Sequence, residues 1–338
     1  MTKKNKAPVF IVGSPRSGNN FLYHTLLSAG GFAVYRAAAQ VFNIFIPRFG
    51  NLSNAGNRRR LIRTWLASLY FERTGLEKAL IEKRLLENCR SGGDFLRIVM
   101  EEMCRMQGVP RWATVGVEEI LYLPEIKREI PDALFIHIIR DGRDVTMSLD
   151  RKDFIRPFPW DRGQARRWMA AALYWDWIVR KGREYGRNMG PDYYELRYED
   201  LVLKPQETLK EIGGFIGHDL DYERIKREGV GTVVEPNTSF RPDRAGSDFS
   251  PMGRWTKEFS GERLALLEGL IGPLLTELGY PLGSKGPANH HATLRTVRAL
   301  YHGAFNLRLF AKSKTPLGRV FVSTRTLRNH AAFVGSTP

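Results

Sequence analysis

The chain is 338 residues long, with 43% hydrophobic and 26% charged residues and a formal net charge of +16. That length can bury a substantial core, and the composition is that of a folded globular protein rather than a disordered, fibrous or collagen-like one. Two cysteines, Cys89 and Cys104, exclude a disulfide framework and a cysteine-based zinc site, and no stretch reaches the ~20 apolar residues of a membrane span. The short basic run at residues 1–6 leads directly into the first apolar segment, with no room for a signal-peptide core, so a reducing cytoplasmic setting is expected.

Residues 8–12 are uncharged and mostly β-branched or aromatic, the pattern of a buried parallel strand. A turn from Gly13 to Gly18 follows, and residues 21–27 open a helix. Strand, glycine turn and helix N-terminus form a phosphate cradle: backbone N–H groups point into the concavity and the helix dipole favours negative charge there. The Gly13–Gly18 spacing fits the first part of G-x-x-x-x-G-K-[ST]. Asn19 stands where the lysine of that motif belongs, and Asn20 where its magnesium-binding hydroxyl belongs. Arg16 supplies a cation from inside the loop instead, which points to a different phosphate-bearing ligand. A tight turn without a ligand is the alternative for the loop alone.

Residues 32–35 form a short second strand candidate. Residues 58–107 carry apolar positions three and four apart, broken by Gly75 and by Ser91-Gly92-Gly93 into about three helices. Strands are expected at 112–117, 133–139 and 193–197, helical segments at 124–130, 161–184, 205–217 and 261–278, and a long loop at 231–253. Alternating strands and helices imply an α/β fold with a mostly parallel sheet flanked by helices. Residues 1–283 then form the α/β domain. Residues 284–338 form an extension with nine basic and no acidic residues, leaving about +7 on the rest of the chain. Its apolar-and-basic stretch at 299–310 is either a surface helix packed on the domain or an amphipathic helix at an anionic membrane surface.

Arg140-Asp141-Gly142-Arg143-Asp144 follows the strand at 133–139. Parallel topology brings this turn to the same sheet edge as the glycine loop. Arg140 offers a planar fork for phosphate, Ser148 lies two helical turns on, and Lys152 one turn further. This arrangement suits a second phosphate some distance from the first.

Together these motifs resemble the sulfotransferases that use 3′-phosphoadenosine-5′-phosphosulfate (PAPS). Gly13-Ser14-Pro15-Arg16-Ser17-Gly18 matches G-x-P-[RK]-[ST]-G, Arg140 and Ser148 match the R-x7-S pair, Tyr198-Glu199-Asp200-Leu201 matches Y-E-D-L, and Gly253-Arg254-Trp255 matches the C-terminal G-R-W loop. The resemblance implies a P-loop nucleotide hydrolase-like three-layer sandwich. It also implies metal-free, in-line transfer of a sulfuryl group to a hydroxyl or amine of a carbohydrate, lipid-linked or small-molecule acceptor. Carried onto this sequence, Ser14, Arg16, Ser17, Gly18, Asn19 and Asn20 surround the 5′-phosphate, and Arg16 also faces the leaving oxygen. Phe21 and Tyr198 lie at adenine, while Arg140 and Ser148, with Lys152 or Arg254, hold the 3′-phosphate. Departures are the Asn19-Asn20 pair in place of Thr-Thr, and the missing carboxylate about twenty residues after Arg16. Glu118 and Glu119 are then the carboxylate candidates for a general base, with an ordinary acidic pair at a helix start as the alternative; His24 and His137 are further options. A P-loop kinase and a non-catalytic PAPS- or anion-binding protein are the competing functions. Nucleic-acid binding by the basic extension has no recognisable module to support it.

Overall fold

The computed structural model describes the chain except residues 1–2, 36, 38, 151–154, 156–157, 159–163, 229–251, 285–290 and 325–338. Five strands are formed: β1 (Val9–Val12), β2 (Phe32–Ala33), β3 (Arg111–Val115), β4 (Leu134–Ile139) and β5 (Tyr193–Arg197). They build one sheet in the order β2-β3-β1-β4-β5, with every pair parallel. All five match expected strands within a few residues. The expected loop at 231–253 lies almost wholly outside the described residues, and the described helix in the 161–184 region runs from Gln164 to Gly186.

β1 is central because all four of its residues are buried, and a strand covered on both faces needs apolar side chains at every position. Alternation divides the core. Val9 and Ile11 face the helices Asn19–Ser28 and Pro205–Ile216, whereas Phe10 and Val12 face the helices Gly92–Gln107 and Gln164–Gly186. The result is a three-layer α/β sandwich. Between β1 and β3 the chain forms helices Ala55–Leu66, Lys78–Asn88 and Gly92–Gln107, with a shorter turn at Leu69–Glu72. Their ends follow local chemistry. Asn54 caps the first by accepting from the Asn57 amide, and Ser91 with Asp94 forms a reciprocal capping box on the third.

This topology places the site. β1 pairs with β3 on one side and β4 on the other, so the chain reverses its direction of travel across the sheet at β1. In open parallel sheets, ligands bind beyond the strand C-termini at such a point. The register Val12–His137 puts the turn after β1 beside the turn after β4.

Helix His291–Lys314 lies against the domain. Its Tyr301 and Phe305 pack edge-on to Phe158 and Tyr174, and Asn306 accepts a hydrogen bond from the Trp177 indole at 2.9 Å. Among the described residues, no helix is long and apolar enough to cross a membrane.

Candidate active site

The Gly13–Gly18 turn is braced from within. The Ser17 amide donates to the Ser14 carbonyl at 3.2 Å, and the Asn19 side-chain amide donates to the same carbonyl at 2.8 Å. Asn19 is therefore a strut of the loop, which gives a physical account of a residue that is unusual at this position. A side chain at Gly18, whose φ is +97°, would collide with the Tyr198 ring. Glycine is needed there for conformation and for close approach. Arg16 holds a φ of +70°, which costs a non-glycine residue about 1–2 kcal/mol. Strain of this kind collects where a side chain is aimed for a task.

Arg16 reaches across the crevice. Its Nε donates to Ser148 Oγ at 2.9 Å, and Arg140 donates to the Arg16 carbonyl at 3.1 Å. The two motifs therefore touch, more closely than the expected separation of two phosphate grips, because β1 and β4 are neighbours and their turns share one edge. Partial burial, and then the charge of Arg140, lower the Arg16 pKa. Among the described residues Arg16 has no carboxylate partner. The Asn19–Ser28 helix begins immediately behind, with no acidic residue in its first turn and no side-chain cap. Among the described residues, the buried Ser17 hydroxyl and Asn19 Oδ1 have no hydrogen-bond partner. Cations, an uncapped helix start and unused polar atoms together have the chemistry that suits an anion.

Tyr198 closes one side. Arg140 stacks over its ring at 4.9 Å, and Phe21 meets it edge-on at 5.9 Å. Phe21 and Tyr198 thus flank the loop as an aromatic pair. Glu199, next in the chain to Tyr198, ties this segment to the turn after β4 by accepting from the Asp141 amide at 3.0 Å, and it also accepts from the Tyr280 hydroxyl at 2.8 Å. Asp144, buried one turn after Arg140, accepts from the Gly253 and Trp255 amides at 2.8 and 2.9 Å. Arg254 therefore sits on a bridge anchored to the Arg140 helix. Burial pushes the Asp144 carboxyl up despite the nearby Arg140 guanidinium. Arg143, buried between Asp141 and Glu268, stacks over Trp255 at 3.7 Å. Arg143, Asp144 and Glu199 lie inside the quoted motifs, but no role was read for them from the sequence, and Glu268 was not singled out at all. Only the spacing of Asp144 four residues after Arg140, one helical turn, could have marked one of them.

Glu118 and Glu119 diverge. They lie in the 3-10 segment Val117–Tyr122 just beyond β3. Glu118 pairs with Lys312 of the C-terminal helix at 3.0 Å. Glu119 folds back beneath Gly116 and is 1% exposed, and neither carboxylate oxygen has a hydrogen-bond partner among the described residues. Desolvation pushes its pKa up to about 7. His137 is wholly buried in β4, contacts the Tyr193 hydroxyl at 2.5 Å through Nδ1, and is lowered to about 3 by burial, which keeps it neutral. His24 is buried and lowered to about 4 by the same cause. Ser14 is buried within the loop and Asn20 is exposed on the first helical turn. Lys152 lies outside the described residues. Among the described residues no cluster of His, Cys, Asp or Glu could hold a metal ion.

A candidate protein-tyrosine sulfotransferase of Caenorhabditis briggsae is 28% identical over 185 residues, covering 53% of this chain and 63% of that protein. The match thus spans just under two thirds of the relative's own length. A counterpart in Caenorhabditis elegans is 26% identical over 182 residues, covering 53% of this chain and 68% of that protein. In fold, the chain is similar to the sulfotransferase domain of the Synechococcus PCC 7002 olefin synthase, with a TM-score of 0.52 at 16% identity over 82% of this chain and 96% of that domain. The family model described as "Sulfotransferase family" matches residues 8–222, from the start of β1 past the Tyr198 segment, and the chain belongs to that family.

Proposed function

We propose that the protein transfers the sulfuryl group of PAPS to a hydroxyl or amine. The observation that carries this reading is the pairing of Arg16 and Arg140 at the β1 and β4 edge, with Ser148 bridging to Arg16. Two guanidinium groups held together, one of them without a carboxylate, need an anion with charge at two places. A ribose phosphorylated at both the 3′ and 5′ positions meets that need, and Phe21 and Tyr198 offer rings to its adenine. Residues 1–283 carry the reaction in this reading, residues 284–338 are an appendage, and the free, buried cysteines suit a reducing cytoplasm.

In the reaction, the acceptor oxygen or nitrogen attacks sulfur as the bond from sulfur to the 5′-phosphate oxygen breaks. The electron pair stays on that oxygen, and adenosine 3′,5′-bisphosphate leaves. Arg16 stabilises the charge that develops on the oxygen, and the loop amides position the phosphate. Ser14, Ser17, Gly18, Asn19 and Asn20 shape the 5′ end. Arg140, Ser148 and Arg254 receive the 3′-phosphate, together with Lys152. Of the two carboxylates beyond β3, Glu119 is the one assigned to the acceptor proton, a role that requires the Gly116 turn covering it to admit the acceptor or a bridging water. A carboxylate poised near neutral pH is a better base than an ordinary one, because it holds the proton more strongly while remaining partly ionised. The names of the two nematode relatives add a protein tyrosine phenol to the carbohydrate, lipid-linked and small-molecule acceptors worth testing.

Titration calorimetry with adenosine 3′,5′-bisphosphate in the absence of magnesium tests the donor. Binding that Arg16→Ala abolishes is expected, together with label transfer from radioactive PAPS to a phenol, sugar or amine. Magnesium-dependent ATP binding with no affinity for the bisphosphate would overturn the reading in favour of a kinase. Bisphosphate binding with no turnover on any acceptor would favour a non-catalytic binding protein.

A further inference from the structure

The His291–Lys314 helix presents two apolar faces. One face, with Leu294, Tyr301 and Phe305, is buried against the domain. The opposite face carries Leu300, Gly303, Leu307 and Phe310, spaced by three, four and three residues and so aligned in one stripe. Leu300, Leu307 and Phe310 are 56%, 69% and 57% exposed, and a side chain at Gly303 would point into open space. Thr296 and Ala299 extend the stripe without a charge. A helix whose only partner is the domain should carry charged residues along the centre of its outward face, and this one carries them only at the flanks. Beyond it, Leu317 and Val320 continue the exposed apolar surface, with Val320 at 75%.

The charge lies beside the stripe. Arg295 and Arg308 are exposed on its two flanks. Beyond its C-terminal end, Arg319 reaches Gly50 and forms one wall of a pocket of about 390 Å³. The other walls are Arg48, Phe49, Arg60, Arg63 and Thr64. Four arginines from three segments converge there, and none has a carboxylate partner among the described residues. Arg60 donates to the Asn57 side chain at 2.7 Å.

We infer that this face docks on an anionic lipid bilayer, with the Leu300–Leu307–Phe310 stripe in the headgroup–acyl boundary and a lipid phosphate in the four-arginine pocket. Apolar side chains flanked by cations match the two layers of such a surface: acyl chains below, anionic headgroups at the level of the guanidiniums. Charge argues against the other occupants. A second copy would bring one extension, with nine cations and no acid, against another. Nucleic acid would leave Leu307, Phe310 and Val320 facing phosphates. The inference does not depend on the transfer chemistry, since none of these residues belongs to the candidate active site.

Vesicle flotation of the full chain tests it. Phosphatidylcholine vesicles with about one quarter phosphatidylglycerol should bind the protein, and pure phosphatidylcholine vesicles should not, with binding weakened as ionic strength rises. The double variant Leu307→Glu/Phe310→Glu and, separately, Arg60→Glu/Arg63→Glu should each weaken binding by about tenfold or more. All these positions are at the surface, and circular dichroism and bisphosphate binding of the variants should match the parent. The inference fails if the parent does not float, if neither double variant changes flotation, or if pure phosphatidylcholine binds equally well. It also fails if Leu307→Glu/Phe310→Glu instead dissolves a dimer seen by sedimentation, if the pocket binds only free inorganic phosphate, or if the basic face retains duplex DNA while ignoring vesicles.

Discussion

Arg143 and Arg16 are both arginines at the same edge of the sheet, and their surroundings are opposite. Arg143 is buried, bonded to the Asp141 carboxylate, to Glu268 Oε1 at 2.6 Å and to the Pro281 carbonyl at 2.9 Å, and covered by Trp255. Burial works against its charge, but Asp141 and Glu268 outweigh burial and raise its pKa. Arg16 has a serine hydroxyl and a neighbouring arginine. A cation with its counter-charges built in holds the fold together, whereas one that is raised on a strained backbone without them is kept for something that arrives. Arg111 shows that a missing carboxylate alone is not the mark of a site. It is 1% exposed and closed off by the Ala7 and Ile216 carbonyls, with its pKa lowered to about 10 by burial. Arg16 differs in being reachable from solvent.

The sharpest way to break this contrast is at Arg143. Arg143→Met strands two carboxylates in a dry setting, and loss of one partner of a buried ion pair costs about 3–5 kcal/mol. Urea unfolding should show that loss at neutral pH. If the variant is as stable as the parent, Arg143 is not the structural member of the pair. Arg16→Ala should do the reverse. It relieves a positive φ only in part, since alanine is also disfavoured there, so stability should stay within about 1 kcal/mol. Transfer from PAPS should fall by about 10²–10³, the usual consequence of removing a group that stabilises a leaving oxyanion. Denaturant midpoints and kcat/KM measured on the same two proteins give the comparison directly. A stability loss at Arg16 equal to that at Arg143 would erase the distinction.

Glu119 extends the comparison to an anion. It too lacks a partner among the described residues, and its pKa is raised because burial disfavours the charged form. The folded protein therefore binds the proton more tightly than the unfolded chain between pH 4.5 and about 7, and stability must fall as pH rises through that window. From the size of the shift the loss is at most about 3 kcal/mol. Glu119→Gln should abolish this slope, and stability curves of the two proteins between pH 5 and 8 check it. If Glu119 is also the base, kcat/KM of the parent rises with pH around 7 and the variant loses that limb. A flat stability profile in the parent would mean that the carboxylate is hydrated or paired.

The strands and the two phosphate motifs were legible because each is local. A run such as residues 133–139 declares itself by composition, and the Gly13–Gly18 turn by spacing. The ties that hold the motifs in register were not legible. Glu199 and Asp141 are 58 residues apart, and Asp144 and Gly253 are 109 apart. Such pairs are set by the sheet order, which no local pattern contains. Glu118 and Glu119 make the same point at one step of sequence. They look alike in the chain, yet one meets Lys312 from a distant helix and the other turns into the core. Asn19 departed from the family pattern, and its role became visible only when its amide was seen to brace the loop through Ser14.

The smallest effect expected lies at Asp144, between the two arginine classes. It stands beside Arg140 at 3.7 Å, but its firmer bonds are to the Gly253 and Trp255 amides. Asp144→Asn keeps the shape and one acceptor, so the fold should lose only about 1–2 kcal/mol. What it loosens is the bridge that carries Arg254. If Arg254 helps to hold the 3′-phosphate, adenosine 3′,5′-bisphosphate should bind several-fold more weakly while adenosine 5′-phosphate, which lacks that group, is bound as before. Calorimetry with both nucleotides separates the outcomes. Equal weakening of the two would place the effect on the 5′ loop, and no weakening of either would leave the Gly253–Trp255 bridge as a purely structural tie.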